Sequence, residues 1–202
     1  MALINIREVY PGVSLGLWQI DESLDEFYAL DPQLEKYQVM LAERYKNDGR
    51  KKEFLAVRAL QHQMLGDKVG EITHNEVGKP LLKGYHISIS HTQGFAALIV
   101  SRTREVAVDI EYFSDRVKRI ASKFMRKDEK APDVDALLVH WCSKETIYKL
   151  FSEENLQYNE MRVKPFDTMS DWMCEVENLK SRKKVAVDFE LTMEFVLTYA
   201  AL

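Results

Sequence analysis

The sequence predicts an α+β fold of two similar lobes, and three observations carry that reading. Segments of helical period and then of strand period follow one another twice along the chain, instead of alternating as βαβ units. A length of 202 residues suits one compact domain or two small lobes sharing a core. A composition 46% hydrophobic and 30% charged supplies a buried core, with no low-complexity stretch or flexible linker.

Val13 to Ile20 alternates as a strand, and Asp21 after it offers a helix cap. Asp31-Pro32 joins a capping carboxylate to a proline suited to a first turn, and Gln33 to Tyr45 continues with helical spacing. Another helix is predicted from Lys51 to Leu65, with Phe54, Val57 and Leu65 apolar, Arg58 inside it and Gly66 closing it. Glu71 to Leu82, with Asn75, Gly78 and Pro80, reads as a connecting loop. His86-Ile87-Ser88-Ile89-Ser90-His91 alternates strictly, as a half-buried strand does. Phe95 to Val100 and Val106 to Glu111 follow as strands, and the short connections favour an antiparallel meander of all three. Arg116 to Met125 reads as a helix. Asp133 to Leu150 is a longer one, apolar over so much of its circumference that it packs on more than one side. Four strands close the chain: Met161 to Phe166, Trp172 to Leu179, Val185 to Leu191 and Phe195 to Ala200.

A net charge of −4 and a pI of about 5.8 give no basic excess for nucleic acid. Cys142 and Cys174 lie in apolar stretches and read as buried thiols of a reducing compartment. Met1 to Ile6 has no basic segment followed by an apolar run, so no leader is expected. No stretch reaches the roughly 18 apolar residues of a spanning helix, so a cytoplasmic protein without a membrane partner is expected. The histidines and cysteines lack zinc spacing, and there is no phosphate-binding glycine loop ending in lysine and serine or threonine.

Asp109 and Glu111 stand two apart on a strand, so their carboxylates share a face. Two such charges repel unless a cation sits between them, and magnesium takes one or two carboxylates with phosphate and water. A solvated strand face would carry the same pattern. Glu145 and Lys149 lie one helical turn apart, where the glutamate can join a metal site and the lysine can meet an anion on it. An ordinary surface pair has that spacing too, but this one lies in a largely apolar helix. The hexapeptide Val106-Ala107-Val108-Asp109-Ile110-Glu111 returns as Val185-Ala186-Val187-Asp188-Phe189-Glu190. This is either a trace of a duplicated lobe or a pattern common to amphipathic strands. Asp188 and Glu190 are expected on the solvent side, since no glutamate-lysine helix follows them.

Taken in order, Gly78-Lys79-Pro80, Ile87-Ser88-Ile89-Ser90-His91, Val108-Asp109-Ile110-Glu111 and Trp141-Cys142-Ser143-Lys144-Glu145 with Lys149 resemble the phosphopantetheinyl transferase superfamily. The resemblance is to its two-lobed, carrier-activating branch and runs from about Arg50 to Phe166. It implies two pseudo-symmetric α+β lobes, residues 1–103 contacting the nucleotide and 104–202 bearing the metal and catalytic helix, with the active site in the cleft between them. It also implies transfer of phosphopantetheine from coenzyme A to a serine of an apo acyl or peptidyl carrier protein, by a monomer. Asp109, Glu111 and Glu145 match magnesium ligands, with Glu145 also the general base. Lys149 matches the catalytic lysine that meets the pyrophosphate and protonates the leaving oxygen. Lys79, Ser90 and His91 match coenzyme A contacts, as does Arg50, for which Lys51 is the alternative. Two departures stand out. The turn Phe151-Ser152-Glu153-Glu154-Asn155 is acidic and lacks the family's glycine, and Lys36 alone answers to its early basic residues. A coenzyme A or carrier-binding module without catalysis is the alternative reading.

Overall fold

The structure, a computed structural model, describes residues 3–66 and 69–202. Met1 and Ala2, at the head of the segment read for a leader, lie outside them. Strand β1 (Leu3–Tyr10), which the sequence reading does not assign, forms a hairpin with β2 (Val13–Gln19). Ser23, not Asp21, caps helix α1 (Leu24–Leu30). The reason is reciprocity: Glu26 stands three residues after Ser23 and bonds back to it, while Leu24 stands at that distance from Asp21. Asp31 caps as expected, but the helical run after it divides into a 3₁₀ turn (Pro32–Tyr37) and α2 (Gln38–Arg44). Helix α3 (Asp48–Leu65) starts earlier than predicted because Asn47 caps it, and Gly66 ends it at φ 80°. The predicted loop beyond it holds a small hairpin, β3 (Thr73–His74) with β4 (Pro80–Leu81).

Next come β5 (His86–Thr92), β6 (Phe95–Ser101) and β7 (Val106–Tyr112), then α4 (Val117–Phe124) and α5 (Val134–Leu150). The chain closes with β8 (Met161–Val163), β9 (Met173–Asn178), β10 (Lys183–Leu191) and β11 (Phe195–Ala201). The fold is mixed α+β, with two main sheets in the orders β1-β2-β6-β5 and β7-β11-β10-β9-β8. The expected meander of β5, β6 and β7 is therefore corrected. β6 has β2 on one side and β5 on the other, so no edge of it is left, and β7 opens the second sheet instead.

Each sheet buries both faces. Trp18, Leu98 and Ile87 pack under Leu55 and Leu60 of α3 on the outer face of the first. Gly16 permits this closeness, since a Cβ there would come within 2.7 Å of the Met64 sulfur. Val139, Cys142 and Ile147 of α5 cover Val187, Val196 and Ala200 of the second. The inner faces meet through Val13, Leu15, Leu17 and Ile99 against Val108, Ile110 and Leu197. Both copies of the repeated hexapeptide lie in the second sheet, on β7 and β10, and face opposite ways. Val106, Val108 and Ile110 join the core between the sheets, whereas Val185, Val187 and Phe189 join the α5 core. The repeat is a strand pattern used twice within one sheet, not the mark of a duplicated lobe.

β7 is an edge strand, and its outward N–H groups need acceptors. Alternate residues of β5 supply them: Val108 donates to the Ser88 hydroxyl (3.2 Å), Ile110 to Ser90 (3.2 Å) and Tyr112 to Thr92 (3.3 Å). Side-chain hydroxyls thus stand where a neighbouring strand's carbonyls would be. Ser88→Ala leaves the buried Val108 N–H without an acceptor, and should cost about 1–3 kcal/mol in urea unfolding. A loss below about 0.5 kcal/mol would mean that water replaces the hydroxyl.

Candidate active site

The pleat of β7 turns Asp109 and Glu111 toward α5, which brings Glu145 and Lys149 to the same place. Asp109, 5% exposed, accepts from the Ser90 hydroxyl at 2.8 Å and from Lys149 Nζ at 2.7 Å. Lys149 Nζ also donates to the Val108 carbonyl at 3.0 Å. The second Asp109 oxygen, Oδ2, is buried and has no hydrogen-bond partner. Glu111 accepts from Trp141 Nε1 at 3.2 Å and from the Thr92 hydroxyl at 3.1 Å. Glu145 accepts from the Tyr158 hydroxyl at 2.6 Å. Trp141 and Tyr158 pack ring on ring at 5.4 Å, so a pair of touching aromatics holds both glutamates. Burial pushes the Glu111 carboxyl above its usual range, and the Asp109 charge adds to it. Burial does the same to Glu145, with Asp109 and Glu111 adding and the Tyr158 hydrogen bond opposing.

Among the described residues, no three His, Cys, Asp or Glu side chains cage an ion unaided. The donors nevertheless suit magnesium. They are hard carboxylate oxygens, one of them orphaned and buried, and two of the carboxyls are raised by burial and by the Asp109 charge, which a cation would offset. Magnesium asks for one or two protein carboxylates and completes its shell from water and phosphate.

The other expected residues divide between two cavities. One, about 300 Å³, is lined by Arg44, Arg50, Phe54, Arg58, His74 and His91. Within it Glu53 pairs with Arg50 at 2.8 Å and His91 at 3.1 Å. Lys51 does not line this cavity; it pairs with Asp48. Lys36 is bound to Glu71. The second cavity, about 160 Å³, is lined by Lys79, Ser88, Lys149 and Ser152, with Ile89 bordering both. Lys79 pairs with Glu105 at 3.1 Å. Ser90 and His91, both matched to coenzyme A contacts, point to opposite faces of β5, as neighbours on a strand must. His91 faces the larger cavity, while the Ser90 hydroxyl is engaged by Asp109 and Ile110.

Several residues were missed. Arg58 sits in the larger cavity, 5% exposed, with its guanidinium 4.3 Å from the Phe54 ring and its Nε unpartnered. A cation inside an apolar helical stripe was the available signal. Tyr158 opens a single 3₁₀ turn (Tyr158–Glu160), too short for periodicity to mark. Lys144, within the motif, is fully buried and bonded to Glu129 and the Phe124 carbonyl, each at 2.7 Å. The acidic turn folds without glycine because Asn155 takes the left-handed conformation at φ 46°, and Asn178 binds the Glu154 carboxylate. Asp188 and Glu190 are not on a solvent face: half-buried, they accept from Tyr10 and Arg7 of the first hairpin, on the side of the sheet away from α5.

Residues 105–200 match the family model of the 4′-phosphopantetheinyl transferase superfamily. The match includes Asp109, Glu111, Glu145 and Lys149 and stops short of Arg50, Lys79, Ser90 and His91. No curated protein matches the chain. No helix among the described residues is long and apolar enough to cross a membrane.

Raised carboxyl pKa values mean that the folded chain holds protons the unfolded chain has released. Stability should therefore fall as pH rises from the ordinary glutamate range through those raised values. Glu111→Gln and Glu145→Gln keep an acceptor for Trp141 and Tyr158 without the charge. In chelator at pH 7 each should melt above the parent, by about 2–4 °C per kcal/mol of repulsion relieved, and should lose that gain below about pH 4. Equal melting temperatures at both pH values would show that the charges are already screened.

Proposed function

Because residues 105–200 are a 4′-phosphopantetheinyl transferase superfamily domain, we propose that this chain moves the phosphopantetheine group of coenzyme A onto a serine of an apo acyl or peptidyl carrier protein. The observation that carries the reading is the meeting of Asp109, Glu111, Glu145 and Lys149 beside a cavity that Lys149 shares with Lys79. The site then lies between two lobes, residues 1–103 and 104–202.

Coenzyme A carries a pyrophosphate and a separate 3′-phosphate, and an acidic protein needs local donors to hold them. The larger cavity supplies Arg44, Arg50, Arg58 and His91, with the Phe54 ring for a flat base. Lys79 and Lys149 take the pyrophosphate in the adjoining cavity. Asp109, Glu111 and Glu145 would hold magnesium, which supplies charge neutralisation at the pyrophosphate. Ser90 and Thr92 fix the Asp109 and Glu111 carboxylates, and Tyr158 fixes Glu145. Burial raises the Glu145 carboxyl and so its affinity for a proton, and it accepts the one leaving the carrier serine. The serine oxygen attacks the pantetheine-side phosphorus. A new P–O bond forms, the pyrophosphate bridge breaks, and adenosine 3′,5′-bisphosphate leaves while Lys149 stabilises its departing oxygen.

Incubation with coenzyme A, magnesium and a panel of apo carriers, read by intact mass, tests this. At least one carrier should gain a phosphopantetheine, and Asp109→Ala, Glu111→Ala or Glu145→Ala should each abolish the gain. Binding of coenzyme A and carrier without any mass gain would instead indicate a module without catalysis. His91→Ala should weaken coenzyme A more than dephospho-coenzyme A by about 1.5–3 kcal/mol, the worth of a charge-assisted contact. Equal losses for the two would remove His91 from the 3′-phosphate. Asp188→Asn with Glu190→Gln should lower stability, because the contacts to Tyr10 and Arg7 weaken, yet leave turnover within about twofold. Loss of transfer in that double variant would assign the second carboxylate pair to the site.

A further inference from the structure

One face of α3 lines the larger cavity with Arg50, Glu53, Phe54, Val57 and Arg58, spaced as residues sharing a side of a helix are. The cations of this cavity are held in two ways. Arg58 lies over the Phe54 ring at 4.3 Å, and Arg44 over the Tyr45 ring at 5.2 Å. Arg50 and His91 are held instead by Glu53, the one acid among the described residues that line the cavity. A carboxylate is out of place in a cavity suited to phosphate, because it repels the ligand that the arginines attract.

The geometry accounts for it. Glu53 Oε2 lies 2.8 Å from Arg50 Nη1 and 3.1 Å from His91 Nδ1, and those two nitrogens stand 3.5 Å from each other. Two donors of cationic groups do not settle that close without an anion between them. Arg50 comes from α3 and His91 from β5, so the carboxylate ties the helix to the strand across the cavity. The Arg50 side chain is 59% exposed and the Glu53 side chain only 16%, so the buried acid anchors a cation that would otherwise range into solvent. Burial alone would raise the Glu53 carboxyl, but the bonds from His91 and Arg50 bring it below the usual range. The brace therefore stays charged at neutral pH. It takes one nitrogen from each partner and leaves Arg50 Nη2 and His91 Nε2 for a ligand.

We propose, resting on the transfer reading above, that Glu53 is a positioning residue that makes the cavity selective for the 3′-phosphate of coenzyme A. It sets Arg50 and His91 as one oriented pair, which a phosphate monoester meets with two donors at once. A nucleotide lacking that group gains nothing from the pair. Ordering a long arginine side chain is done before the ligand arrives, and that saving appears as affinity. Repulsion between Glu53 and the phosphate is outweighed because Arg44 and Arg58 stand in the same cavity.

Binding of coenzyme A and of dephospho-coenzyme A to the whole chain is measured by calorimetry in magnesium, and transfer by intact mass. Glu53→Gln keeps the size of the side chain and removes its charge. It should weaken coenzyme A about tenfold, the order of one lost charge-assisted contact, and leave dephospho-coenzyme A within about twofold. Asp48→Asn removes an exposed charge from the same helix outside the cavity, and should bind both ligands as the parent does. The effect runs through the partners of Glu53, so in a His91→Ala background the loss from Glu53→Gln should shrink about threefold or more. Should Glu53→Gln fail to fold, Glu53→Asp, whose shorter arm cannot reach both donors, gives the same split. Tighter binding of coenzyme A by Glu53→Gln overturns the proposal, since the carboxylate would then only compete with the phosphate. Equal losses for the two ligands, or a loss that His91→Ala leaves undiminished, overturn it as well. The expected split in a parent that charges no carrier supports the role of Glu53 and counts against the transfer reading alone. A parent that binds neither ligand overturns both.

Discussion

Three hydroxyls, on Ser88, Ser90 and Thr92, join the two main sheets where no backbone ladder does. Much of the rest follows from that contact. It satisfies the edge of β7, so this strand can be buried at the meeting of two sheets instead of lying open to water. Ser90 and Thr92 also donate to Asp109 and Glu111, so the groups that close the edge aim the carboxylates. The opposite face of β5 carries Ile89 and His91 into the larger cavity. A single strand thus serves as wall to a cavity and as brace to the acids, with alternation keeping the two duties apart.

The acids are crowded at a cost, and the surroundings show how it is contained. Lys149 neutralises Asp109, while Trp141 and Tyr158 offer hydrogen bonds without charge to Glu111 and Glu145. Tyr158 needs its own support, being on a single 3₁₀ turn. Lys144 gives it, reaching the Tyr158 carbonyl while bound to Glu129 in a fully buried pair. Removing one member of such a pair leaves an uncompensated charge in the interior, which makes Lys144 a structural residue inside a chemical motif.

Much of this was legible in the residues. Periodicity marked most strands and helices because each of those segments buries one defined face, and Asp31, Gly66 and Asp133 announce helix boundaries by local chemistry. Partner choice was not legible. The sequence of β7 fits a meander, and only the occupation of both β6 edges by β2 and β5 sends it elsewhere. The face of a strand was also beyond reach from pattern alone: the same hexapeptide turns its acids toward α5 in β7 and toward the first hairpin in β10. Asp109, Glu111, Glu145 and Lys149 were named beforehand because spacing on regular elements brings them together. The bond from the Ile110 N–H to the Ser90 hydroxyl was not legible, because a backbone edge leaves no side-chain pattern.

The layer between the sheets bears on how the chain divides. Residues 105–200 carry Asp109, Glu111 and the helix of Glu145 and Lys149, yet Val108, Ile110 and Leu197 face side chains from before residue 102, and the edge of β7 is closed by β5. Cut away from the first half, this segment would present a bare apolar sheet face beside an open strand edge, the combination that templates aggregation. The two halves are therefore obligate companions during folding. Expression of the second half alone should yield insoluble chains, and a ribosome releasing it first, as in a circular permutant opened near residue 103, would expose that edge until the remainder emerged.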